Sequence, residues 1–193
     1  MQKEIKKKEG NVKSLTELLL LLLYTPGASG KEGESIDGIT KLGKLLFLLW
    51  KEGSFEKYLK DISFEAYKFG PFSLEMYDEI EFLFNLGLVK KTEKRATSSA
   101  ESYDRIELVD NDALFDDTDV KVSDSKIKET FELTEQGMKA AKKIATKLSE
   151  NELKIIRNIK TIYNSMPLFQ LLRYVYTKYP SYTVESDIRE AVL

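Results

Sequence analysis

Most of the chain carries apolar residues at every third or fourth position, and two short stretches alternate apolar and polar residues instead. The first pattern predicts helices, and the second predicts strands with one buried face. The predicted helices span 15–24, 40–52, 74–86, 135–148, 150–163 and a last segment that begins after Ser165 and ends at Tyr179. The fifth of these is expected to bury Ile155, Ile159 and Ile162. Together these patterns predict a mainly α-helical fold with a small antiparallel β-hairpin.

The third helix begins after a stretch of extended aromatic residues and has the clearest boundaries. Gly70 and Pro71 predict a turn over 69–72, Ser73 is placed to cap the helix, and Gly87 is placed to end it. Helical spacing predicts that five positions face inward: Tyr77, Ile80, Leu83, Phe84 and Gly87. The opposite side is then acidic and carries Glu75, Asp78, Glu79 and Glu81.

The alternating stretches predict a hairpin over about 102–134. Its strands are expected at Arg105–Leu108 and Thr130–Leu133, joined by a long tip over residues 110–125. Between Glu101 and Asp124 the local charge is −7, whereas the whole chain carries −2. The aspartates of the tip lack the central glycine and final glutamate of a calcium-binding loop, so we expect no metal there.

Composition excludes most familiar enzyme sites. The 193 residues include no cysteine and no histidine, which rules out thiolate nucleophiles, zinc sites built on those ligands and Ser-His-Asp triads. The segment Gly27–Lys31 lacks the spacing of a phosphate-binding loop. We therefore expect no enzymatic activity, no catalytic residue, no metal and no cofactor.

The longest apolar run is too short to cross a membrane. Leu18–Leu23, even with its apolar neighbours, falls far below the roughly 20 residues that a spanning helix needs. The first residues also lack a signal-peptide pattern. From these observations we expect a cytoplasmic protein without a membrane partner.

Several motifs carry a family resemblance. Phe131–Gly137 has the Leu-Thr-x-x-Gly pattern that follows the wing of winged-helix domains. The segments Ile39–Leu49, Tyr67–Ser73, Leu86–Val89 and Leu172–Pro180 resemble the YwgA-type proteins of archaea and bacteria, and more distantly the Panacea-domain antitoxins and phage-associated proteins. The resemblance covers about residues 15–188 and implies a winged-helix-like fold without catalytic residues. The acidic tip and Gly43 inside the second helix depart from the family pattern.

On this basis the chain divides into three parts. Residues 1–14 form a basic lead-in, residues 15–149 form the winged-helix-like domain, and residues 150–193 form a helical extension packed on that domain. The leucine-rich first helix and the last helix offer more apolar surface than one small core needs, which leaves a homodimer open.

Two functional hypotheses follow. In the first, the chain is a non-enzymatic regulatory module, antitoxin-like or adaptor-like, and binds a basic protein partner through Glu75, Asp78, Glu79 and Glu81. In the alternative, it is a DNA-binding transcriptional regulator. Its contacts to the nucleic-acid backbone would then come from Lys90, Lys91, Lys94, Arg95, Lys139, Lys142 and Lys143. We favour the first hypothesis because acidic groups on the third helix and the hairpin tip would repel DNA phosphates.

Overall fold

The computed structural model describes residues 11–60, 62–95 and 127–193. Its α-helices are α1 (Leu15–Tyr24), α2 (Ile39–Lys51), α3 (Leu74–Asn85), α4 (Glu135–Ala145), α5 (Glu150–Asn164), α6 (Leu168–Lys178) and α7 (Arg189–Val192). Its strands are β1 (Ile36–Asp37), β2 (Glu65–Tyr67), β3 (Gly70–Phe72), β4 (Val89–Arg95) and β5 (Ile127–Leu133). The predicted class, mainly helical with a small antiparallel sheet, is confirmed.

Strand β5 is the centre of a three-stranded antiparallel sheet with the order β1-β5-β4. Ile36 of β1 lies opposite Phe131, and Val89 of β4 lies opposite Leu133. At Thr130 and Phe131 both edges of β5 are occupied, by β4 and by β1, and the predicted first strand of the hairpin, Arg105–Leu108, lies outside the described residues. The second predicted strand is part of β5, but its hairpin partner is β4. Residues 102–126, with the acidic tip at 110–125, lie outside the described residues.

Helix α1 is the centre of the core. Eight of its ten residues are buried, including the uninterrupted run Leu18–Leu23. A helix that is apolar on every side must be covered on every side, and α3, α4, α5 and β5 all pack against it. The backbone N–H of Glu17 donates to the hydroxyl of Ser14, which caps the first turn. None of the helices in residues 11–60, 62–95 and 127–193 combines the length and apolar character that crossing a membrane requires.

Three buried lysines tie the helices together through backbone carbonyl groups. Lys160 Nζ donates to the carbonyl oxygens of Leu23, in the last turn of α1, at 3.0 Å and of Glu34, in the following loop, at 2.7 Å. Lys41 Nζ donates to Met166 O at 2.8 Å, just beyond α5, and Lys44 Nζ donates to Pro71 O at 3.0 Å. These contacts satisfy carbonyl groups that would otherwise be buried without a partner.

The burial of Lys160 changes which face of α5 is inside. Lys160 is fully buried and Ile159 is also buried, but Ile162 is 50% exposed and Ile155 is only partly buried. The expectation that Ile155, Ile159 and Ile162 share the inner face is therefore wrong for Ile162. The helix is rotated because its inner face includes the polar contacts of Lys160 as well as apolar packing.

The carboxylate of Glu52, which follows α2, holds α5 and α6 against that helix. It accepts hydrogen bonds from the hydroxyls of Tyr163, Tyr174 and Tyr179 at 3.1, 2.8 and 3.1 Å, and from Lys178 Nζ at 3.0 Å. Partial burial acts to raise the pKa of Glu52, but the hydrogen bonds from Tyr174 and Lys178 outweigh it, and the pKa is lowered. The Glu52 carboxylate therefore has a structural role, because its oxygens accept hydrogen bonds from other side chains of the protein.

A two-stranded hairpin of β2 and β3 precedes α3. Tyr67 lies opposite Gly70, so the chain reverses at residues 68–69 and not over the predicted 69–72. Gly70 has a φ of +83°, and a Cβ atom there would lie 2.9 Å from the ring of Tyr176. A side chain at this position would therefore be strained and would also push the hairpin away from α6.

The contacts of Lys160 predict how stability depends on pH. Burial lowers the pKa of Lys160 to about 7, and the Glu34 carboxylate offsets only part of that shift. In the unfolded chain the lysine pKa is about 10.4, so between about pH 7 and pH 10 the unfolded state binds more protons. This lysine therefore makes stability rise with pH across that window, and its contribution is constant below it.

Replacing Lys160 with Met tests this prediction. The variant leaves two carbonyl groups without their donor, which we expect to cost about 1–3 kcal/mol at pH 9. Urea unfolding at pH 6, 7.5 and 9 should show the gap between wild type and Lys160→Met widening as pH rises. A gap that is constant with pH would contradict the prediction.

Candidate functional site

The start of α3 is fixed by short polar contacts. The backbone N–H of Met76 donates to Ser73 Oγ at 3.3 Å, which confirms the predicted cap. Glu75 accepts from Ser73 Oγ at 2.8 Å and from Ser63 Oγ at 3.0 Å. Partial burial acts to raise the pKa of Glu75, but hydrogen bonds from its own backbone N–H and from these two serines lower it overall. Glu75 is therefore part of the helix start and is not an open contact group.

The other three predicted acidic residues differ in exposure. Glu79 accepts a hydrogen bond from Thr16 Oγ1 at 2.6 Å and is only partly exposed, so it joins α3 to the first turn of α1. Asp78 and Glu81 are both exposed. Two of the four predicted contact residues, Asp78 and Glu81, are thus exposed. The side chains of the other two, Glu75 and Glu79, make hydrogen bonds within the fold.

Apolar side chains make up most of the rest of the outward side of α3. Met76, Ile80 and Leu83 are the buried residues of this helix. Leu74, Phe82, Phe84 and Leu86 are 51%, 51%, 52% and 50% exposed. Seven large hydrophobic residues of the described chain are exposed, and these four on or next to α3 are the majority. The prediction that Phe84 faces inward is therefore wrong.

We call this surface the α3 face, and it has a defined arrangement. Its centre consists of residues spaced at i, i+4, i+7, i+8 and i+11, all exposed: Leu74, Asp78, Glu81, Phe82 and Asn85. Phe84 lies on one flank and Leu86 on the other, according to the 3.6-residue turn. The α3 face therefore combines apolar side chains with two free-standing carboxylates and carries no cation.

An aromatic row borders the flank with Phe84. The ring centroids of Tyr67 and Phe72 are 4.8 Å apart, and those of Phe72 and Tyr77 are 5.0 Å apart. This row edges a cleft between α2, the β2–β3 hairpin and α3. Lys44 lines the same cleft and donates to Pro71 O. The row continues the apolar character of the α3 face onto the hairpin.

The predicted basic residues do not form one surface of free charges. Lys90 pairs with Glu132 at 3.1 Å, and Lys91 pairs with Glu129 across the strands. In β4, Lys94 lies opposite Lys128, and Arg95 lies opposite Ile127. The lysines of α4 are exposed, and no ion pair joins them to a described residue: Lys139, Lys142 and Lys143. Among the residues of the alternative set whose side chains the structure describes, the α4 lysines are exposed and without an ion pair to another described residue, whereas Lys90 and Lys91 are paired.

The structure shows no organised site for a metal within the ranges that it describes. No group of three or more aspartate, glutamate, histidine or cysteine side chains comes together there in a way that could hold an ion. The carboxylate of Glu52 accepts its hydrogen bonds from tyrosine hydroxyls and from Lys178. The α3 face, with its exposed apolar side chains and its two carboxylates, is therefore the candidate functional site.

Comparisons of the chain with protein-family models, with curated proteins and with solved structures found no match. Function is therefore inferred from the surface of the molecule itself.

Two substitutions at neighbouring positions test which side of α3 is buried. Leu83 is fully buried and Phe84 is 52% exposed. Leu83→Ala should lower the free energy of unfolding by about 3 kcal/mol, whereas Phe84→Ala should change it by less than about 0.5 kcal/mol. Urea unfolding monitored by circular dichroism measures both. Equal losses would mean that Phe84 is buried, as the helical spacing predicts.

Proposed function

We propose that this chain is a non-enzymatic regulatory module with winged-helix architecture that binds a basic segment of a protein partner through the α3 face. The element order α1-β1-α2-α3-β4-β5, with the β2–β3 hairpin inserted between α2 and α3, and the sheet order β1-β5-β4 support the architecture, because apart from that hairpin both are typical of winged-helix domains. In such domains the third helix is the usual contact element.

The observation that carries the proposal is the make-up of the α3 face. Aromatic and aliphatic side chains that are about half exposed supply the kind of anchor found at the centre of protein interfaces. Asp78 and Glu81 lie among them and would attract lysine or arginine. A partner that fits both features is a short amphipathic segment with apolar residues on one side and cations beside them.

The same surface is a poor match for DNA. Binding to a duplex depends mainly on neutralising phosphates with lysine and arginine, and the α3 face presents carboxylates. Lys90 and Lys91 of β4 are each paired with a glutamate. A duplex that binds through the exposed lysines of α4 would have to approach another side of the molecule, so the alternative hypothesis predicts a different contact surface.

A synthetic probe peptide tests the proposal. The probe has 18 residues, with leucine and lysine placed so that a helix would have one apolar and one basic side, and a scrambled peptide serves as the negative control. Fluorescence anisotropy should show binding to the wild-type chain that weakens as salt rises from 50 to 300 mM. Asp78→Lys combined with Glu81→Lys should weaken binding at least about tenfold, which corresponds to about 1.4 kcal/mol.

Two further variants make the result specific. Phe82→Ser should weaken binding without changing the charge. Glu185→Lys combined with Glu190→Lys makes the same charge change at exposed positions of the C-terminal segment and should leave affinity within about twofold. Equal losses in the two charge variants would contradict the proposal. Duplex binding that is lost in Lys139/Lys142/Lys143→Glu and retained in the α3 variants would favour the DNA-binding alternative.

A further inference from the structure

The α3 face lies next to the beginning of α1. Thr16, in the first turn of α1, donates from its hydroxyl to Glu79 Oε1 at 2.6 Å. Glu79 lies on the same flank of α3 as Phe82 and Leu86, which follow it by three and seven residues. The start of α1 is therefore beside one edge of the α3 face.

The chain is fixed to the body of the protein at Val12 and reaches the surface at the residue before it. Val12 is 1% exposed, and the carboxylate of Glu152 lies 3.4 Å from its backbone nitrogen. The backbone N–H of Lys13 donates to Glu17 Oε2 at 2.8 Å. Asn11 is exposed. Residues 1–10 therefore join the described chain at Asn11, next to the start of α5 and five residues before Thr16, whose hydroxyl contacts Glu79.

The sequence of residues 1–10 has the chemistry that the α3 face would attract. It reads MQKEIKKKEG and contains four lysines, two glutamates and the apolar residues Met1 and Ile5. Ten residues can span up to about 33 Å. Helix α3 has 12 residues and is therefore about 18 Å long. The segment is long enough to reach both ends of the α3 face from Asn11.

We propose that residues 1–10 bind the α3 face of their own chain through Lys3, Lys6, Lys7 and Lys8 and compete there with the basic partner. This inference rests on the proposed function, because it assigns a regulator to the same surface. Tethering gives such a segment an effective concentration in the millimolar range, so even weak contacts could reduce partner binding. Displacing the segment would then make the module available to its partner.

Two full-length variants with the same net charge test the proposal. One replaces Lys3, Lys6, Lys7 and Lys8 with Gln, and the other replaces Lys139, Lys142, Lys143 and Lys147 of α4 and its end with Gln. Each loses four cations, so any general effect of net charge on affinity for the basic probe peptide is equal. The N-terminal variant should bind the 18-residue probe at least about fivefold more tightly than the α4 variant at 50 mM salt. Equal affinities would overturn the proposal.

Zero-length carbodiimide cross-linking of the wild-type chain supplies an independent measurement. Mass spectrometry should find Lys3, Lys6, Lys7 or Lys8 joined to Asp78, Glu79 or Glu81, and these products should be lost at 500 mM salt. A mixture of ¹⁴N- and ¹⁵N-labelled chains separates contacts within one chain from contacts between two. Cross-links that join labelled to unlabelled chains, or that map mainly to other carboxylates, would overturn the proposal.

The two proposals fail in different ways. If neither the wild-type chain nor any variant binds the probe peptide, the proposed function fails, and the cross-links still report on the contact within the chain. If the probe binds through Asp78, Glu81 and Phe82 but the N-terminal variant gains no affinity, the regulatory contact is wrong and the proposed function stands.

Discussion

The fold depends on covering one helix that has no polar side. Burying a leucine side chain stabilises a protein by about 1.5–3 kcal/mol, and α1 buries a run of six leucines followed by Tyr24. No single neighbour can cover such a helix, so α3, α4, α5 and β5 each take one side. The position of every one of these elements is thereby set relative to the same axis. One side of α3 packs against α1, and the opposite side is left facing outward.

Covering α1 also buries the ends of its backbone, and these need polar partners. Ser14 caps the first turn by accepting a hydrogen bond from the backbone N–H of Glu17. Lys160 of α5 donates to the carbonyl oxygen of Leu23 in the last turn. A lysine suits this role because its long apolar stem packs in the core while its ammonium group can donate several hydrogen bonds. Lys41 and Lys44 repeat this arrangement, at the end of α5 and at the hairpin. Apolar packing and carbonyl contacts thus position the helices jointly.

Local sequence predicts the parts of this structure that local physics controls. The cap at Ser73 lies where the sequence predicts it, because a cap depends on side chains within one turn. The partner of β5 could not be read in the same way, since strand pairing is decided by contacts between distant residues. The inner face of α5 was misjudged at Ile162 because periodicity counts apolar residues and cannot recognise that Lys160 is buried.

The candidate site was predictable in part for the same reason. Asp78 and Glu81 follow from the helical phase, but the hydrogen bonds that occupy Glu75 and Glu79 come from Ser63 and Thr16, far along the chain. The sequence did indicate that the outward side of α3 carries an exposed apolar residue. Phe82 and Phe84 flank Leu83, and three consecutive residues of a helix cannot share one buried face. At least one phenylalanine had to face outward.

The central place of α1 has a consequence for synthesis on the ribosome. This helix is made before the helices that cover it, and the last of these, α5, ends 140 residues later. At about 5–20 residues per second, translation of that length takes roughly 7–30 s. A ten-residue helix is marginal in water by itself, so the nascent chain exposes an uncovered leucine run during this interval. Such a run is a binding site for chaperones, and the yield of folded protein should depend on them more than the size of the domain would indicate.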